Sequence, residues 1–309
     1  MLLLLTAVGG TSYASRKAVT SALVVAESVN VSPAVIGLTV MAIGTDLPEI
    51  ANSIVSTATG HGDVNVGDSM GSVLTQVTLT LGILCFMGGK ISLNTNFVIA
   101  VGTATVFATV GVAILASDGR LGHGDGLILI VLWLAGTALL GHGELSQREE
   151  IQPASRAKVS GAILATFGWL AIVGGLAVTM VESFLRLAET FGIPEFVGSF
   201  IALSLGTSLP ELFVDWTAIR RGASSMAIGD IFGSSFVDAT LSVGIGPALF
   251  ASQVSSGVSA ATGLAAAGVL AATVLTARSR RYDWRLGTSL LIVYAIVQIG
   301  IAIVGSSVG

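Results

Sequence analysis

The chain has 309 residues, 53% of them hydrophobic and only 10% charged, with a mean hydropathy of +0.89. That balance excludes a soluble globular domain, and a net charge of −4 gives no basis for nucleic-acid binding. A single cysteine, Cys85 within an apolar run, excludes a disulfide framework or a cysteine metal cluster.

Ten apolar runs of about 20 residues follow one another, each roughly the length that crosses ~30 Å of hydrocarbon as a helix. They cover 1–27, 33–59, 67–88, 94–116, 125–145, 159–188, 194–219, 227–250, 257–277 and 286–306. The expected fold class is an all-α membrane protein of ten transmembrane helices. The first run begins at Met1 without a basic leader and reads as a retained helix rather than a cleaved signal peptide. Its Arg16 and Lys17, with Arg186 of the sixth run, read as snorkelling or carboxylate-paired residues.

The second run contains Gly44-Thr45-Asp46-Leu47-Pro48-Glu49. Pro48 has no N–H, and its ring crowds the carbonyl of Gly44, so the helix must bend or unwind there. In hydrocarbon the freed backbone carbonyls are costly unless something satisfies them. A hard cation is one candidate, because Na⁺ and Ca²⁺ favour carbonyl, hydroxyl and carboxylate oxygens. Thr45 and Glu49 stand four apart, on one face beside the break. The third run adds Gly67-Asp68-Ser69-Met70-Gly71-Ser72, with Ser72 and Gln76 sharing a face and Gly71 permitting close backbone approach. Asp68 lies near the expected start of that run. It fits either an acid favoured at a helix N-terminus or a carboxylate attracting cations at a mouth. His61, His123 and His142 fall at span ends and read as interfacial polar residues. The segment 146–158 reads as a linker.

The seventh and eighth runs repeat the second and third. Gly206-Thr207-Ser208-Leu209-Pro210-Glu211 and Gly229-Asp230-Ile231-Phe232-Gly233-Ser234 stand 162 residues after their counterparts. Ser234 and Asp238 match Ser72 and Gln76, and Asp230 matches Asp68 with the same two readings. Further identical pairs include Val35/Val197, Gly60/Gly222, Thr78/Thr240 and Gly82/Gly244. Two glutamates at matching intramembrane positions cost several kcal/mol unless paired or functional, and no basic residue in the motif spans offers a partner.

Five spans per unit is odd, so the second unit must enter from the opposite side. The expected layout is a first five-helix repeat over 1–145, a cytoplasmic linker over 146–158 and an inverted second repeat over 159–309. That architecture characterises secondary transporters, with the site at the midplane. Alternating the connections places Lys90, Arg148, Arg156, Lys158, Arg220, Arg221, Arg278, Arg280, Arg281 and Arg285 on one face and only Arg120 on the other. By the positive-inside bias the first face is cytoplasmic and both termini are extracellular. Three lysines against eleven arginines, with short acidic connections, point to a prokaryotic source.

At these residues the chain resembles the Ca²⁺/cation antiporter superfamily, most closely its sodium/calcium exchanger branch. The resemblance is carried by GTDLPEIANSIVSTATGHGDVNVGDSMGSVLTQ, GTSLPELFVDWTAIRRGASSMAIGDIFGSSFVD and the lead-in VSPAVIGLTVMAIGT. It implies a cation site formed by Thr45, Asp46, Glu49, Ser72 and Gln76 with Thr207, Ser208, Glu211, Ser234 and Asp238. Backbone carbonyls near Ala42 and Ser204 would complete the sodium sites. It also implies that Ca²⁺ and Na⁺ compete for overlapping sites, and that the first and sixth spans slide to alternate access.

The chain departs from the pattern at Asp46, where a serine is expected, and at Gln76 and Ser235, where asparagines are. Asp68 and Asp230 likewise replace asparagines. The extra acid at Asp46 would either strengthen divalent binding or let a proton replace one sodium ion. The expected function is therefore a Na⁺/Ca²⁺ antiporter of the plasma membrane. The alternatives are a Ca²⁺/H⁺ or other divalent-cation/H⁺ antiporter and, from another class, a cation channel. The expected partners are Ca²⁺, Na⁺ or H⁺ and the lipid bilayer, around a monomer. No cofactor is expected, and neither a nucleotide loop nor a nucleophile–base pair suggests an enzyme.

Overall fold

The computed structural model describes residues 2–29, 32–87, 95–145, 160–173, 175–176, 198–279 and 281–308. The expected linker 146–158, most of the sixth run, and Lys90, Arg186 and Arg280 lie outside the described residues, as does the side chain of His142.

The described residues are almost wholly helical. Helix α1 (Leu2–Val29) is followed by α2 (Pro33–Thr45), which Ser32 caps by accepting from Val35 N–H at 3.4 Å, with Pro33 in the first turn. Helix α3 (Leu47–Ala58) departs from α2 at a 44° bend centred on Asp46. Then come α4 (Gly62–Phe86), α5 (Thr95–Asp118), α6 (His123–Leu145) and α7 (Ser160–Val173). The second unit has α8 (198–207), α9 (Leu209–Arg220), α10 (Ser224–Leu249), α11 (Ser256–Arg278) and α12 (Trp284–Val308). Six of these helices are long and apolar enough to cross a membrane, or seven if α2 and α3 form one broken span.

One addition was not expected. The strands β1 (Arg120–Leu121) and β2 (Ser252–Gln253) pair antiparallel, clasping the connection after α5 to the one after α10.

The two units share local geometry at the 162-residue offset. Asp46 and Ser208 hold nearly the same backbone angles at the two breaks (φ −81°, ψ 7° and φ −80°, ψ 4°). Wider π-turns recur at Gln76–Thr80 and Asp238–Ser242. Gly60 and Gly222 both adopt positive φ, 84° and 79°, where each broken helix turns into the next, a conformation that favours glycine.

Helices α4 and α10 form the buried centre, and α6 and α12 lie at the periphery with apolar residues such as Leu139 and Ile303 exposed. This is the reverse of a soluble protein and fits a lipid-facing surface. The central packing is reciprocal between the units. A methyl group at Gly71 of α4 would stand 2.6 Å from Ser204 Cβ of α8, and one at Gly233 of α10 would stand 2.6 Å from Leu38 Cα of α2. Each glycine thus lets the broken helix of the other unit approach along its backbone.

Candidate cation-binding site

The two breaks deliver the site. Pro48 and Pro210 stand in the first turns of α3 and α9, unable to donate to the carbonyls of Gly44 and Gly206. Each chain therefore stops, turns at one residue and restarts. Thr45 and Asp46 end up at one break with Glu49 one turn on, and Thr207 and Ser208 at the other with Glu211 one turn on. All six are buried.

Oxygens of Asp46, Glu49 and Glu211 come within 4.8 Å of one another. Neither oxygen of any of the three carboxylates accepts a hydrogen bond, and Ser208 Oγ is likewise buried and unpartnered. Carboxylates gathered this closely with neither donors nor a cationic side chain are strongly unfavourable alone. A cation among them resolves both the repulsion and the missing ligands.

The walls are cross-linked by hydroxyl pairs related by the repeat. Thr45 Oγ1 and Ser234 Oγ lie 3.2 Å apart, and Ser72 Oγ and Thr207 Oγ1 also 3.2 Å. Gln76 Nε2 donates to Asp238 Oδ2 at 3.1 Å, joining the two positions that correspond to each other, while Gln76 Oε1 accepts from Ser235 Oγ at 2.8 Å. Asp238 Oδ1 remains without a partner. The carbonyls of Ala42 and Ser204 are not orphaned by the breaks. Asp46 N–H donates to Ala42 O at 3.0 Å and Ser208 N–H to Ser204 O at 3.1 Å, and the hydroxyls of Thr45 and Thr207 approach the same two carbonyls at 3.3 Å.

Asp68 and Asp230 require a correction. Helices α4 and α10 begin at Gly62 and Ser224, earlier than the expected 67 and 227, so both acids lie in the second turn and fully inside. Neither is a solvent-facing acid of a first turn. Asp68 accepts from Asn52 Nδ2 at 2.7 Å and from Thr207 Oγ1 at 3.0 Å, and so braces a site hydroxyl. Asp230 is buried with neither carboxyl oxygen hydrogen-bonded, and so is Asp215, a carboxyl that had no assigned role. The signal for Asp215 was available: it follows Glu211 by one helical turn where the first unit has Ser53. Asn52 gave no such signal, because only the packing of α3 on α4 brings it to Asp68.

Of the two readings for Arg16 and Lys17, snorkelling or carboxylate pairing, the pairing is not seen among the described residues, and both side chains are exposed. Lys17 Nζ sits 5.7 Å from the centroid of the Tyr13 ring. His123 is exposed and its Nδ1 meets Ala248 O at 3.0 Å, in keeping with an interfacial role.

A family model described as "Sodium/calcium exchanger protein" matches residues 1–141 and 161–301. The chain belongs to the sodium/calcium exchanger family. Within that family, the sodium/calcium exchanger MaX1 of Methanosarcina acetivorans is 25% identical over 269 residues, covering 74% of this chain and 76% of MaX1. The inner membrane protein YrbG of Escherichia coli is 27% identical over 249 residues, covering 77% of this chain and 75% of YrbG. The solved structure of the sodium-calcium exchanger NCX_Mj superposes with a TM-score of 0.76 at 25% identity, over 95% of this chain and 96% of that one. The cluster of Asp46, Glu49 and Glu211 thus belongs to a family member that is an integral membrane protein.

Proposed function

We propose that this family member is a secondary active antiporter of a prokaryotic plasma membrane, exchanging Na⁺ for Ca²⁺ and extruding Ca²⁺ by alternating access at a midplane site. One observation carries the reading: three fully buried carboxylates, drawn from both breaks, converge within 4.8 Å with no donor and no basic partner among the described residues. The proposed ligands are Thr45, Asp46, Glu49, Ser72 and Gln76 with Thr207, Ser208, Glu211, Ser234 and Asp238. The Ala42 and Ser204 carbonyls complete the set.

The proposed frame is ten helices in two inverted five-helix repeats, 1–145 and 159–309, joined by a cytoplasmic linker over 146–158. Contacts at the helix ends support it. Ser255 N–H donates to Asp63 Oδ1 at 2.7 Å, His123 meets Ala248, and β1 pairs with β2. These join connections that alternation assigns to the extracellular face, where Arg120 is the single basic residue. Phe86 at the end of α4 packs on Gly287 at the start of α12, both assigned to the basic, cytoplasmic face.

The chemistry follows from the donor set. Ca²⁺ takes 6–8 oxygen ligands and rewards carboxylates, while Na⁺ accepts the hydroxyls and carbonyls beside them. Since both ions use the same oxygens, occupancy by one excludes the other, and the loaded site changes access while the bare, repelling site does not.

Reconstitution into proteoliposomes tests the coupling. An inward-directed Ca²⁺ flux driven by an opposing Na⁺ gradient is expected; uptake driven by a pH gradient and indifferent to Na⁺ would sink the sodium reading. The Ca²⁺/H⁺ reading is favoured by one observation, the carboxyl of Asp46 inside the cluster where the second unit has Ser208.

A further inference from the structure

Away from the carboxylates, Arg16 of α1 and Trp216, Thr217, Arg220 and Arg221 at the end of α9 line a cavity of about 420 Å³. Three arginines stand among its lining residues, and none of the described lining residues is acidic. No ion pair involves these arginines among the described residues. Arg220 lies over the Trp216 ring at 5.6 Å, and Arg221 Nη1 donates to Thr20 Oγ1, which in turn donates to the Arg16 carbonyl at 2.6 Å. The side chains of Arg220 and Arg221 are thus each held by a contact, and Arg221 is tied through Thr20 to the backbone of α1. Three exposed arginines around one cavity with no acidic partner among the described residues give it a positive potential that attracts anions. Planar guanidinium forks match the oxygens of a phosphate in a bidentate manner.

The depth also fits. Nine residues of helix separate Glu211 from Arg220, or about 13 Å at ~1.5 Å per residue, close to half of the ~30 Å hydrocarbon core. If Glu211 is at the midplane, as the proposed function holds, the cavity opens at the level of the headgroup phosphates on the basic face.

We propose that this cavity is a binding site for a phosphate group, bridging α1 to α9. Because α9 carries Glu211 at its other end, the anion would couple the position of α1 to the helix that supplies a site carboxylate.

Native mass spectrometry of the delipidated full chain tests this without any transport measurement, so its failure is distinct from failure of the exchange reading. With phosphatidylglycerol, a retained lipid adduct and a raised thermal midpoint are expected, and with phosphatidylcholine neither. Combined Arg16→Gln, Arg220→Gln and Arg221→Gln substitutions should weaken phosphatidylglycerol binding about tenfold or more, and Arg220→Gln alone by less. If inorganic phosphate at millimolar concentration gives the same arginine-dependent shift while phosphatidylglycerol gives none, the phosphate site stands with a soluble source. Equal binding of the two lipids with no phosphate effect, or unchanged binding by a folded single or triple variant, would overturn the proposal.

Discussion

Glu211 illustrates the opposed demands on each acid of the cluster. Its charge repels Asp46 and Glu49 when no ion is present, and supplies a ligand when one is. Glu211→Gln should therefore raise the thermal midpoint of the ion-free protein while removing most of the stabilisation that Ca²⁺ confers, since ligand stabilisation scales with affinity. Loss of one charged ligand, worth roughly 1.5–3 kcal/mol, should weaken Ca²⁺ binding by about ten- to a hundredfold. Calorimetry on the ion-free and Ca²⁺-loaded variants checks both halves of this statement. Asp46 differs because its counterpart is Ser208. Protons compete with cations for its oxygens, so Ca²⁺ uptake should fall as the pH is lowered. Asp46→Ser should flatten that dependence; uptake with an unaltered pH profile would remove Asp46 from the mechanism.

At the scale of elements, the breaks and the glycine contacts are separable. Pro48→Ala returns an N–H to the Gly44 carbonyl and removes the cause of the 44° bend. The expected variant is as stable as the parent or more so, yet binds Ca²⁺ more weakly because Asp46 and Glu49 lose their placement. Gly71→Ala acts in the opposite sense: its methyl would stand 2.6 Å from Ser204 Cβ, and overpacking of this kind costs about 1–3 kcal/mol. Thermal unfolding of the two variants should therefore move in different directions. Pro48 and Gly71 were both legible in the sequence, because a missing N–H and a missing side chain act locally. The early starts of α4 and α10 were not. Gly62 and Asp63 look like loop residues until Asp63 is seen bonded to Ser255, and Gly62 packed against the Gln253 carbonyl.

At the scale of the whole molecule, the proposed topology makes a labelling prediction. With Cys85 replaced by alanine, a cysteine introduced at Asp118 should react with an impermeant maleimide applied to intact cells. One at Arg281 should react only after the membrane is opened. Labelling of both from the same side would refute the inverted arrangement.

The sequence by itself determined the membrane class, the duplication at a 162-residue offset, the two proline breaks and the glutamates beside them. All of these follow from hydropathy, from identity at a fixed offset or from the chemistry of a single peptide bond. Only the tertiary structure decided which acids meet. Asp46, Glu49 and Glu211 converge, Gln76 turns its amide to Asp238, and Asp68 is absorbed by Asn52 and Thr207. Those partnerships cross from one repeat to the other or between adjacent helices. They depend on the close crossing of broken helices over Gly71 and Gly233, a geometry that no local stretch of the chain encodes.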